Sequence, residues 1–174
     1  MKRSAQLANT NNEIKEIVMA GGPVAIRRAQ PRDAEATLTL LKGLAEHEDS
    51  SQHVHLTLKQ LEEYLHRDDV IIFLAEVDGS QIGYSSALRR TYFWGGSEII
   101  ALDDLYVRAS HRNKRVGEHL MKAMAGQAAH DGLTVMWEVT PTNVAGQRFY
   151  SKLGAKLSTK VIATWTPEHY GFIV

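Results

Sequence analysis

Residues 102–117 read LDDLYVRASHRNKRVG, and the rest of the chain is best understood outward from them. The stretch begins in an apolar run that predicts a strand over 98–107, with Asp103 and Asp104 in its second half, where a covered strand seldom carries acids. A polar turn follows with four cations, Arg108, Arg112, Lys114 and Arg115. Val116, Leu120, Ala123, Met124 and Ala128 then recur at helical spacing, so a helix starts at the end of the turn and closes near Gly132. A helix that opens from such a turn presents amide groups without partners and a partial positive charge, which suits a pyrophosphate. Two readings of the turn stand on the residues alone: a seat for a phosphate-bearing ligand, or a solvated basic loop.

Upstream, residues 24–29 alternate like a half-buried strand, and Pro31, Arg32 and Asp33 set up a helix start with Asp33 as N-cap. That helix carries Leu38, Leu41 and Leu44 and runs to about His47. The acids Glu46, Glu48 and Asp49 read as loop charges or as a wall that attracts a cationic substrate, and Thr57 caps a second helix through Leu65. His47, His53 and His55 show no regular metal-ligand spacing, so no metal is expected. The run VIIFLAEV at 70–77 is apolar enough to be central in a sheet, and Asp78-Gly79 turns it into a hairpin. The aromatics of TYFWGG at 91–96 are expected to pack within their loop.

Downstream, 133–139 predicts another strand. Thr142 or Asn143 caps a short helix with Ala145, Phe149 and Leu153 on its buried face, ended by Gly154. Two further short strands are expected between 155 and 174. The order β-α-α-β-β-β-α-β-α-β-β gives an α/β (α+β) fold, a mixed sheet with helices on both faces. We expect a flexible extension over residues 1–22 and one domain over 23–174.

Composition sets the outer limits. The chain has 174 residues, 44% of them apolar, which fits an ordinary globular core. Twenty acids balance twenty bases, so no global field draws it to nucleic acid or an acidic membrane, and any basic patch is local. The lack of cysteine removes disulfides and thiolate chemistry and is compatible with a cytoplasmic location. Polar residues break every apolar run before membrane-spanning length, so a soluble protein is expected.

Two motifs in order resemble the GNAT superfamily of N-acetyltransferases. The first, R/Q-x-x-G-x-G/A between strand and helix, is matched by Arg112-Asn113-Lys114-Arg115-Val116-Gly117. The second, N-x-x-A/G-x-x-F-Y-x-x-x-G, is matched by Asn143, Gly146, Phe149, Tyr150 and Gly154. The resemblance spans about residues 24–165 and implies the GNAT fold, with a mostly antiparallel sheet of six to seven strands. Within the superfamily, LDDLYV and the run 92–117 look most like the diamine (spermidine/spermine) and thialysine acetyltransferases. One departure stands out: Arg115 takes the position of the first motif glycine, and Asn113 takes another position where glycine is common. Asn tolerates a left-handed backbone; arginine does not, and its Cβ would crowd a pyrophosphate unless its dihedrals are helical.

The resemblance implies direct acetyl transfer from acetyl-CoA to a primary amine of a small molecule: a polyamine, a diamine or an amino-acid-like compound. The cofactor-binding positions it implies are Leu105, Tyr106, Val107, Arg112, Asn113, Lys114, Arg115, Val116, Gly117, Glu118, Asn143 and Tyr150. Asp103 becomes the base or relay that deprotonates the amine, with Asp104 pointing to the opposite face because strand side chains alternate. Backbone N–H of Tyr106 or Val107 polarises the thioester carbonyl, and Tyr150 protonates the departing thiolate. A homodimer is implied as well. The alternatives are an acetyl-CoA-binding sensor and a protein lysine or N-terminal acetyltransferase.

Overall fold

The computed structural model describes residues 15–19 and 22–171, with side chains from 24 onward. Contacts divide the chain into two compact units, Met1–Glu138 and Val139–Val174, where the sequence suggests one domain.

The first unit is built on β3 (Val70–Val77), whose near-continuous apolar run is covered on both sides. Ile72 and Leu74 join a core with Leu40 and Leu61, carried by α1 (Ala34–His47) and α2 (Leu58–Tyr64). The alternate residues, Phe73, Ala75 and Val77, join Val116 and Leu120 of α3 (Val116–Asp131). Two helices therefore lie on one face of the sheet and one on the other, as expected. Six strands run in the order β1 (Lys15–Met19), β2 (Gly22–Arg28), β3, β4 (Ser80–Tyr92), β5 (Ser97–Val107) and β6 (Thr134–Met136). All neighbours are antiparallel except β5 and β6, which α3 links as a parallel pair.

Local chemistry explains most boundaries. Asp78 and Gly79 both take positive φ, 48° and 73°, as a two-residue hairpin requires. Thr57 and Gln60 form a capping box at α2. Asp33 precedes α1 but makes no cap bond into it. Its carboxylate accepts from both terminal nitrogens of Arg27 at 2.7 Å and from the Gln30 amide at 2.8 Å. Glu76 takes Arg27 from the other side at 2.7 Å, so one guanidinium ties β2, the entry to α1 and β3 together.

Four expectations fail in part. Lys15–Met19, placed in the extension, pairs with β2 as a sheet edge. The strand expected over 133–139 shrinks to three residues. The tail forms no strand among its described residues and carries instead α5 (Pro167–Tyr170), because Pro167 fixes a helical first turn. Phe93 and Trp94 do not pack in their loop but stand 89% and 94% exposed at the β4–β5 turn. In the second unit α4 (Val144–Lys152) forms as expected, ended by Gly154 at φ 91°, although none of its side chains is buried.

Candidate active site

Two irregularities in the sheet shape the site, and neither is visible to period-two counting. Opposite Ala75 and Glu76 on β3 lie Gly83 and Gln81, so Ile82 is an extra residue and β4 bulges there. The bulge explains why Ile82 packs with α3 while Tyr84 packs with α1 and α2. A side chain at Gly83 has no room: a Cβ would meet the Tyr106 carbonyl oxygen at 2.7 Å. Opposite Ser86 and Ala87 on β4 lie Asp104 and Leu102, so Asp103 is the extra residue of β5.

This second bulge overturns the expected alternation of the two acids. Ser86 Oγ donates to Asp104 Oδ2 at 2.7 Å, and Asp103 lines the cavity that Ser86 and Tyr84 also line. The Asp103 carboxyl is pushed above the usual aspartate range, first by burial and then by the negative charge of Asp104, with Arg90 pulling the other way. Its side chain keeps solvent contact, so it stands at the rim rather than in the depth of the cavity. A carboxylate with a raised pKa beside an apolar cavity is a proton acceptor suited to general base work.

Beyond Ala101 the strand changes character. β6 pairs with β5 only from Ile99 to Ala101, so from 102 to 107 that edge of β5 has no strand partner among the described residues. Leu105 and Val107 turn their side chains to the α3 side, while Tyr106 packs against the α1 side. Gly43 of α1 makes room for the Tyr106 ring, since a Cβ there would lie 3.0 Å from its hydroxyl.

The turn after β5 carries the departure seen in the sequence. Arg115 is left-handed (φ 59°), as is Asn113 (φ 60°), so the helical dihedrals that would relieve Arg115 are not adopted. The arginine side chain folds back instead: Nε and Nη2 donate to the two Glu118 oxygens at 2.8 Å each. Lys122 joins the same carboxylate at 2.7 Å, and Arg115 with Lys122 holds Glu118 down at a pKa of about 2. The amides from Asn113 to Glu118 donate no hydrogen bond among the described residues, and reversals of backbone hand turn such amides into an anion-binding concavity. Val116 contributes only its backbone, because its side chain is buried under the sheet.

Arg112 behaves differently from the expectation of a free phosphate ligand. Its Nε donates to the Val107 carbonyl at 2.9 Å, Nη1 lies 3.2 Å from His47 Nε2, and the guanidinium sits over the Tyr106 ring at 5.7 Å. It clamps the end of β5 to the end of α1. Lys114 is exposed and makes no ion pair among the described residues.

In the second unit, Asn143 Oδ1 accepts from the Gly146 amide at 2.8 Å and caps α4. A side chain at Gly146 would fall within 2.9 Å of that cap, which accounts for the small residue three places on. Tyr150 is half-buried, stacks edge-on with Phe149 at 5.2 Å, and has its phenol pKa raised by burial.

Both the amide-lined turn and the unpaired strand edge suit a ligand that joins a pyrophosphate to an amide-bearing arm. The family model described as "Acetyltransferase (GNAT) family" matches residues 35–155. The chain belongs to the GNAT acetyltransferase family. It is an N-acetyltransferase that uses acetyl-CoA. Aminoglycoside N(6′)-acetyltransferase type 1 of Salmonella typhimurium is 30% identical over 105 residues, covering 58% of this chain and 72% of the relative. The structure of aminoglycoside N-acetyltransferase AAC(6′)-Iy with a bisubstrate analogue, CoA-S-monomethyl-acetylneamine, superposes at TM-score 0.70 with 25% identity, covering 82% of this chain and 97% of that one. An aminoglycoside acetyltransferase from an uncultured soil metagenomic sample reaches TM-score 0.73 at 18% identity over 82% and 98% of the two chains, a likeness of fold. These relatives carry aminoglycoside names, not the diamine and thialysine names to which LDDLYV pointed. Among the described residues no helix is long and apolar enough to cross a membrane, and no group of three or more His, Asp or Glu is placed to hold a metal ion.

Three residues of the site escaped sequence reading. Tyr84, Ser86 and Thr37 all line the cavity beside Asp103, and their only signal was a position on elements that the bulges and α1 bring together.

Proposed function

We propose that this GNAT enzyme acetylates a primary amine of a small molecule by direct attack within a ternary complex, with Asp103 as the base. The observation that carries the reading is the β5 bulge, which sets a carboxyl of raised pKa at a cavity rim next to the unpaired edge of the same strand. Acetyl-CoA supplies the acyl group and the thiolate leaving group. The amides from Asn113 to Glu118, with Lys114 beside them, hold its pyrophosphate, and the 102–107 edge of β5 receives its arm as an extra strand would be received. Asp103 takes a proton from the ammonium, directly or through water, so that nitrogen has a lone pair to attack with. An amide of Tyr106 or Val107 polarises the acyl carbonyl. For Tyr150 we propose the role that the motif implies, proton donor to the thiolate; burial keeps its proton on at neutral pH.

The substrate class follows from the charge of the site and from the relatives. Glu48 and Asp104 both act on Tyr84 electrostatically, so the α1 side carries negative charge for a cationic substrate. Aminoglycosides are the first class to test because the relatives bear that name, with diamines, polyamines and amino-acid-like amines beside them. A screen of free-CoA release across these amines tests the reading. Release with at least one amine, abolished without it, is expected. Tight acetyl-CoA binding with no release for any amine would overturn it. A homodimer is proposed on family resemblance, and light scattering at twice 19.4 kDa is the expected result.

A further inference from the structure

The α1/α2 face of the sheet is incompletely filled. Between α1, α2, β3 and β4 lies a cavity of about 350 Å³, walled by Leu41, Leu56, Leu61 and Ile72. Its lining also includes Asp103 at the rim, with Thr37 and Tyr84 behind it. Those two residues are 1% and 0% exposed, so they close the cavity without offering it a polar atom. Burial first, and then the Asp104 carboxylate beside it, push the Tyr84 phenol pKa up. The open lining is therefore mainly apolar, with one carboxyl at its edge.

We propose that this cavity takes the apolar group of the acceptor, so that the substrate is a primary amine with one charged nitrogen on an aryl or branched-alkyl body. The inference rests on the N-acetyltransferase reading above and narrows its substrate. A primary ammonium meets one carboxyl on this lining, Asp103. Most of the remaining wall is leucine, isoleucine, valine and alanine with Tyr64, which rewards an apolar body and penalises a second ammonium, since a charge leaving water needs a partner. The one cation on the lining, Arg67, is engaged by Asp69 at 2.6 Å and so does not neutralise Asp103. An apolar void of roughly 150 Å³ accepts benzene, so this larger one has room for a ring and a short carbon arm.

The test compares kcat/KM of the full chain for phenethylamine, cadaverine and the aminoglycoside neamine at saturating acetyl-CoA. Phenethylamine is expected to lead by about tenfold or more. Leu56→Trp, which fills the cavity, should raise the KM for phenethylamine about tenfold while leaving that for methylamine and the acetyl-CoA Kd unchanged. Leu56→Ala, which enlarges it, should move the preference toward naphthylethylamine, and this second variant decides the matter if the tryptophan is not accommodated. Preference for cadaverine or neamine, or indifference of the phenethylamine KM to both variants, overturns the cavity inference and leaves N-acetylation standing. No CoA release with any amine, while calorimetry shows acetyl-CoA bound, overturns both.

Discussion

The two faces of this sheet are packed to different ends. Under α3, Val116, Leu120 and Met124 are all buried, with Leu120 and Met124 at 0% exposure, and the helix is held so that its first turn and the preceding loop present bare amides. Under α1 and α2, Leu40 and Leu61 are equally buried, yet a cavity with a rim carboxylate stays open beside them. One face is filled and fixes a backbone; the other gives up packing where we propose that the amine is received. On the proposed reading, recognition of the cofactor rests on main-chain geometry, and recognition of the acceptor on side chains.

The sharpest break between the faces comes from Asp103→Asn. Loss of the base should lower turnover by about 10²–10⁴-fold, measured by CoA release with the best amine, while the thermal midpoint stays put because the side chain is exposed at the rim. Equal turnover would remove Asp103 from the chemistry. Packing gives the converse contrast. Leu120→Ala on the filled face should cost about 2–5 kcal/mol in urea unfolding. Leu41→Ala, already bordering a void, should cost less than half as much. Equal costs would mean that the two faces are packed alike.

Asp104→Asn probes the same rim more gently. Asp103 must be ionised to accept a proton, so kcat/KM falls as pH drops through its pKa. Burial and then the charge of Asp104 raise that pKa, so removing the charge moves the acid limb to lower pH, while Arg90→Gln moves it higher. Limbs that stay in place for both variants would show that another group titrates.

Much of the cofactor half was legible in the sequence because its signals are local. A helix start at Val116, a stop at Gly132, a cap at Asn143 and an end at Gly154 each depend on a residue and its next few neighbours. The acceptor half was less legible because a bulge depends on the partner strand. Nothing in LDDLYV says that Asp103 is the unpaired residue against Ser86 and Ala87, and an error of one residue sends every later side chain to the other face. Arg112 illustrates the same limit: its place in the motif suggested phosphate, while its contacts with Val107, Tyr106 and His47 depend on how α1 meets β5.

Arg115 joins the local and the non-local. Its left-handed backbone is the one that a glycine at this motif position would adopt freely, and an arginine adopts it against the crowding of its own Cβ. The paired bonds to Glu118 lie on the surface, where screening by water leaves ion pairs little net worth. Release of the backbone should then outweigh loss of the pair, in part cancelled by the greater freedom of glycine when unfolded. Arg115→Gly is expected to raise the thermal midpoint by no more than about 2–4 °C, with Glu118 still held by Lys122. If the amide concavity is the seat of the pyrophosphate, the acetyl-CoA Kd by calorimetry should hold or tighten, because the amides stay and a Cβ leaves. A several-fold weaker Kd in a variant of unchanged stability would instead make the guanidinium itself a phosphate ligand, and the cofactor face would then depend on a side chain after all.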